Sequence, residues 1–169
     1  MAALAALAGH ALSVLALVLT PLLVLDADDL RAFTAEMLGA RLGRTVEIGG
    51  LALARGEGLH VRLRDLRVAN AAWAEYDALA RIARIDLRWD WRASWQMRRL
   101  VVEEIRIENP RLWLERAADG RRNWPALGGG GKASAPVTIT TIALRAGRVV
   151  VRDVPTRTRA TFDRLDLDA

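Results

Sequence analysis

Between Leu100 and Trp124 the sequence alternates in a way that only a strand satisfies. Ile105 and Ile107 fall on one side of an extended chain, and Glu104, Arg106 and Glu108 fall on the other. This is the period of a strand with one wet face and one apolar face. Asn109-Pro110 is expected to interrupt the ladder, because proline lacks an amide proton and restricts the residue before it. A second short strand then sets Leu112 and Leu114 against Arg111, Trp113 and Glu115, and ends in the polar turn Ala118–Trp124. A chain built from such segments must cover the apolar side of a sheet.

The alternation recurs from Thr45 onward. Val46 and Ile48 open a strand, Gly49-Gly50 breaks it, and Leu51 and Leu53 resume on the opposite parity, which is the mark of a bulge or bend. Leu59, Val61 and Leu63 oppose His60, Arg62 and Arg64; Leu66 and Val68 then flip parity, placing a second bulge near Arg64-Asp65. Ala78–Ile82 reads either as a helical turn or as the lead into the next strand. That strand is the clearest of all, with Ile85, Leu87, Trp89 and Trp91 on one side and Arg84, Asp86, Arg88 and Asp90 on the other. Ala93–Arg99 suits a short helical connector. Later, Val137 and Ile139 shift parity to Ile142 and Leu144, a turn is expected at Ala146-Gly147, and a last strand sets Leu165 and Leu167 against Arg164, Asp166 and Asp168.

Ahead of the strands, residues 1–25 contain no Asp, Glu, Lys or Arg. As a helix they reach roughly 37 Å, enough for a hydrocarbon core of about 30 Å, so a transmembrane anchor is expected there. A cleaved signal peptide fits less well, since the run is long, lacks a basic start and ends in Val24-Leu25-Asp26 without a small-x-small cleavage site. Arg31, Arg41 and Arg44 after the run argue by the positive-inside rule for a cytoplasmic C-terminal part. An amphipathic helix follows at 26–43, with Leu30, Phe33, Met37 and Leu38 at three-and-four spacing and Gly43 at its end.

Charge and composition remove several functions. The 169 residues carry 25 Lys and Arg, all arginine but Lys132, against 20 acids, for a net charge of +5. The arginines are interleaved with acids, as in Arg84–Asp90, so they form a mixed solvated face rather than a stripe for nucleic acid. No cysteine is present, which removes disulfides and thiolate metal sites. His10 and His60 have no ligand-spaced partner, so no metal or cofactor is expected. Gly128–Lys132 lacks the spacing of a phosphate loop and reads as a flexible linker. No paired acids and no nucleophile with a base can be assembled, and the expectation is a protein that is not an enzyme.

Four stretches together resemble the N-terminal region of the AsmA family of bacterial envelope proteins. They are the uncharged N-terminal run; Leu42-Gly43-Arg44-Thr45-Val46-Glu47-Ile48; Val68-Ala69-Asn70-Ala71-Ala72-Trp73-Ala74; and Leu112–Arg116 with Asp119-Gly120 and Asn123-Trp124. The last is the most specific. The resemblance covers about residues 1–127 and implies an inner-membrane protein, single-pass, with its β-rich part in the periplasm, against the arginine count. It also implies kinship with bridge-like lipid transfer proteins, whose strands curl into a trough. Family members are longer, so the chain is expected to be a fragment, a truncated reading frame or a short member needing a partner.

The expected fold is mainly β with an N-terminal transmembrane helix: a curled antiparallel sheet, a U-shaped groove, capped by a short amphipathic helix. Its parts are an anchor at 1–25, the helix at 26–43, an AsmA-like β domain at 44–127, a Gly-rich linker at 128–136 and further strands of the same, incomplete sheet at 137–169. The sheet either closes on itself or leaves its apolar floor open. An open floor would hold acyl chains on Val61, Leu63, Ile85, Leu87, Trp89, Ile105, Ile107, Leu112 and Leu114. The first functional expectation is therefore phospholipid transport or outer-membrane lipid homeostasis, with membrane phospholipids as partners. The second is a non-transport envelope factor that affects outer-membrane protein assembly through protein contacts, offering its C-terminal strand edge to an envelope protein.

Overall fold

A computed structural model describes residues 27–124 and 137–169. Helix α1 (Ala27–Leu42) leads into strands β1 (Val46–Arg55), β2 (Leu59–Ala69) and β3 (Ala78–Trp89), a short helix α2 (Trp91–Met97), and strands β4 (Leu100–Arg116), β5 (Val137–Asp153) and β6 (Thr158–Asp168). The six strands form one sheet in chain order. Neighbours are antiparallel except β4 and β5, which run parallel.

Three expectations about architecture are corrected. The curled antiparallel sheet with a U-shaped groove is instead an open, mixed sheet with two short helices, bounded by β1 at one side and β6 at the other. Parallel pairing of β4 with β5 breaks the meander, because β5 begins beside the start of β4, where Leu100 pairs with Val137, rather than beside Arg116. The second correction concerns membrane and localisation: no helix among the described residues is long and apolar enough to cross a membrane. The anchor expected at 1–25 and the linker expected at 128–136 lie outside the described residues. Thirdly, neither Asn109-Pro110 nor Ala146-Gly147 ends a strand; both sit inside strands of 17 residues. Ala78–Ile82 begins β3 without a helical turn.

Those interruptions share one physical origin. Strands β1 to β5 each spend two successive residues between apolar ones along a single line across the sheet, Gly49-Gly50, Arg64-Asp65, Ala83-Arg84, Glu108-Asn109 and Arg145-Ala146, and β6 does so at Asp163-Arg164, displaced to face Arg148. Asp65, Asn109, Ala146 and Arg164 take φ of 51 to 54° there. Neighbours double their step together, so from β1 to β5 the pairing resumes in register beyond the line. The apolar side chains therefore return to the same face. On one side of this crease runs the row Leu51, Leu63, Ile85, Ile107, Leu144, Leu167; on the other runs Val46, Val68, Ala80, Leu112, Val149, Phe162.

Helix α1 lies over the β1 side of this face. Leu30 is fully buried and joins Leu59, Val61, Leu87, Leu100, Val102 and Ile105 in one cluster, while Leu38 and Leu42 reach a second cluster around Ile48, Leu63 and Leu66. The Thr34 hydroxyl donates to Leu30 O at 2.7 Å, which lets a polar residue sit in the contact. Gly43, at φ 59°, ends the helix in the left-handed conformation that glycine adopts without cost.

Candidate interaction surface

All nine residues proposed as a lipid-holding floor fall in these two clusters. Val61, Leu63, Leu87 and Ile105 are buried, and Ile85, Trp89, Ile107, Leu112 and Leu114 are half-buried around them. Phe33, Met37 and Leu38 of α1 pack against part of the floor. Trp89 turns its indole N–H to the Ser94 hydroxyl at 2.8 Å. The described concavity, of about 420 Å³, lies largely on the opposite, charged face between Arg62, Arg84, Asp86, Arg88, Glu104 and Arg106. Its walls are ion pairs such as Arg62–Asp86 (2.5 Å) and Arg106–Glu104 (2.6 Å). Phospholipid transport through an apolar β-groove is thus corrected: the fold holds nothing specific to it, and the open cavity is polar.

His60 is exposed on that charged face. Among the described residues no three His, Cys, Asp or Glu side chains come together in a group able to hold a metal ion.

A polar centre that the alternation did not reveal stands at the far end of β4. Glu115 is fully buried although its parity puts it on the wet face, because the connection between β2 and β3 folds over it. Its carboxylate accepts from Glu75 N (2.9 Å), Tyr76 N (3.2 Å), Asn70 Nδ2 (3.1 Å) and Arg152 Nη1 (3.3 Å). Asn123, 2% exposed, accepts from Glu115 N and donates to Asn70 Oδ1 and Trp113 O. A buried carboxylate is tolerated when its lone pairs are filled in this way. Asn70, Glu115 and Asn123 belong to two of the four stretches on which the family resemblance rests, so those two have a structural meaning here. They pin the 70–77 connection and the 117–124 turn to the sheet.

The same centre reaches β6. Arg152 also pairs with Glu75 (2.9 Å), and Glu75 binds Arg159 at the start of β6 (2.6 Å). That pair holds the Arg159 guanidinium above its ordinary pKa, through the hydrogen bond to Glu75 first and its charge second. Further along, Arg148 pairs with Asp163, and Arg145 with Asp168 at 2.6 Å. β6 is thereby fixed on its inner side. Its outer edge has no strand partner among the described residues. Phe162 and Leu167, 51% and 38% exposed, continue the apolar rows past the cover of α1.

No protein-family model matches the chain, and no curated protein or solved structure matches it.

Proposed function

We propose that the chain is a non-transport factor that works by protein contact rather than catalysis, with β6 as the contact strand. The observation that carries this reading is a free strand edge whose apolar side chains, Phe162 and Leu167, are the uncovered end of an otherwise packed face. An extended segment added along β6 gains ladder hydrogen bonds from the edge and covers both side chains. The ion pairs of Arg159, Asp163 and Asp168 hold the strand in place before a partner arrives, which lowers the entropy cost of association. The envelope setting and the effect on outer-membrane protein assembly come from the family resemblance and form part of the proposal.

A photo-crosslinking residue placed at 162 in cells tests it. A discrete protein adduct is expected, lost with Leu167→Asp, and outer-membrane barrel proteins should fall in the same variant while the lipid composition of the envelope holds. Adducts to lipid alone, or barrel proteins at normal levels in Leu167→Asp, would refute the reading.

A further inference from the structure

The large apolar side chains left exposed among the described residues occur in only two places. Trp91 (49%), Trp95 (85%) and Met97 (53%) stand on α2, and Phe162 and Leu167 stand on β6. The two places differ in charge. From Trp91 to Val102 the sequence carries Arg92, Arg98 and Arg99 and no acid. None of these guanidiniums forms an ion pair with a described residue; Arg92 lies over the Trp91 ring at 5.3 Å. From Phe162 to Asp168 there are three aspartates and one arginine. Asp166 accepts from Ala146 N at 2.9 Å and shares the field of Arg145 with Asp168, whose side chain stays 69% exposed beside that guanidinium.

Each place is also held in a fixed shape. Asp90 caps α2 by accepting from Ala93 N at 2.8 Å, and the Ser94 hydroxyl accepts from Trp89 Nε1 and Val101 N while donating to Asp90 O. Arg98, at φ 49°, ends the helix in the left-handed conformation, so Trp95 stands out on a rigid knob. Tryptophan and arginine on a preformed projection, facing apolar residues flanked by acids on a preformed strand, are the usual ingredients of a small interface centre.

We infer that α2 of one copy of the chain docks on β6 of a second copy. Trp95 and Met97 cover Phe162 and Leu167, and Arg98 and Arg99 reach round the sheet edge to Asp166 and Asp168. This rests on β6 being the contact strand, but seats a helix on its apolar side chains rather than an extended segment on its ladder edge. The two surfaces are different, so the contact is heterologous and leaves a free α2 at one end and a free β6 at the other, which allows growth beyond a dimer.

Sedimentation velocity of the full chain in mild detergent, over a hundredfold range of concentration, tests it. Association through residues 1–25, if any, is common to every sample. The wild type is expected to grow past the dimer. Trp95→Glu and Phe162→Lys, both at exposed side chains, should each weaken self-association at least about tenfold while keeping the wild-type circular dichroism and melting curve. Mixed one to one, they retain one intact β6 and one intact α2, and should form a dimer that grows no further. A wild type that stays monomeric, or a mixture that fails to pair, overturns the inference. A foreign protein crosslinked at 162 while the chain stays monomeric leaves the proposed function standing and removes only this inference. Undiminished association in Phe162→Lys, with no adduct at 162, removes both.

Discussion

Glu115 shows what a single side chain can hold together. Its carboxylate gathers two backbone amides and an asparagine from the 70–77 connection and an arginine from β5. Removing it strands those donors away from water, where each costs about 1–3 kcal/mol. Glu115→Ala is therefore expected to cost about 3–5 kcal/mol in urea unfolding, and Glu115→Gln less, because the amide oxygen still accepts part of the set. Asn123→Ala should weaken the same centre in a double-mutant cycle with Glu115→Gln, giving a non-additive result. On the surface, Asp77 behaves differently. Hydrogen bonds from Arg67 and then Arg81 hold its carboxyl below the usual carboxylate range. A lowered folded value means that the pair supports the fold above about pH 4 and that the support fades as pH falls through the folded value. Nuclear magnetic resonance titration of Asp77 should return its midpoint toward the ordinary value in Arg67→Ala.

At the scale of the element, the crease across the strands is the feature that keeps one face apolar. A strand that flipped parity alone would turn Leu63 or Ile107 into water, and β1 to β5 flip together instead. The cost is left-handed backbone at residues that are not glycine, such as Ala146 at φ 53°. Ala146→Gly is expected to stabilise by about 1 kcal/mol for that reason. The neighbouring residue has the opposite requirement: a Cβ on Gly147 would stand 2.8 Å from Leu144 Cδ2 and 3.2 Å from Leu165 O. Gly147→Ala should cost about 1–3 kcal/mol in the thermal melt and loosen the seam between β5 and β6.

For the molecule as a whole, an open sheet with one covering helix predicts a gradient of stability. β2, β3 and β4 have a strand on each side, and β2 and β3 contribute to both clusters beneath α1, whereas β6 has one neighbour and is mostly exposed. Native-state hydrogen exchange should be slowest in β3 and β4 and fastest in β6, with Glu115→Gln speeding β6 and the 70–77 connection together. Exchange in β6 that matched β3 would contradict the picture of a free edge. The same gradient puts the strand proposed for contact at the least protected side of the sheet.

The strands were largely legible in the sequence because a period of two is a local property: Ile85, Leu87 and Trp89 declare their face without reference to any other segment. The parity shifts at Gly49-Gly50 and Arg64-Asp65 were legible for the same reason. What those shifts have in common was not, since only pairing brings Asp65, Asn109 and Ala146 onto one line. Nor did alternation disclose Glu115, whose position looks solvent-facing until the 70–77 connection folds over it. Local chemistry therefore determined which residues extend and which side of each strand is apolar. The tertiary structure decided that β5 runs parallel to β4, that α1 covers the apolar face which sequence reasoning had left for lipid, and that the uncovered remainder lies at β6. Those outcomes depend on contacts between residues far apart in the chain, which no local pattern records.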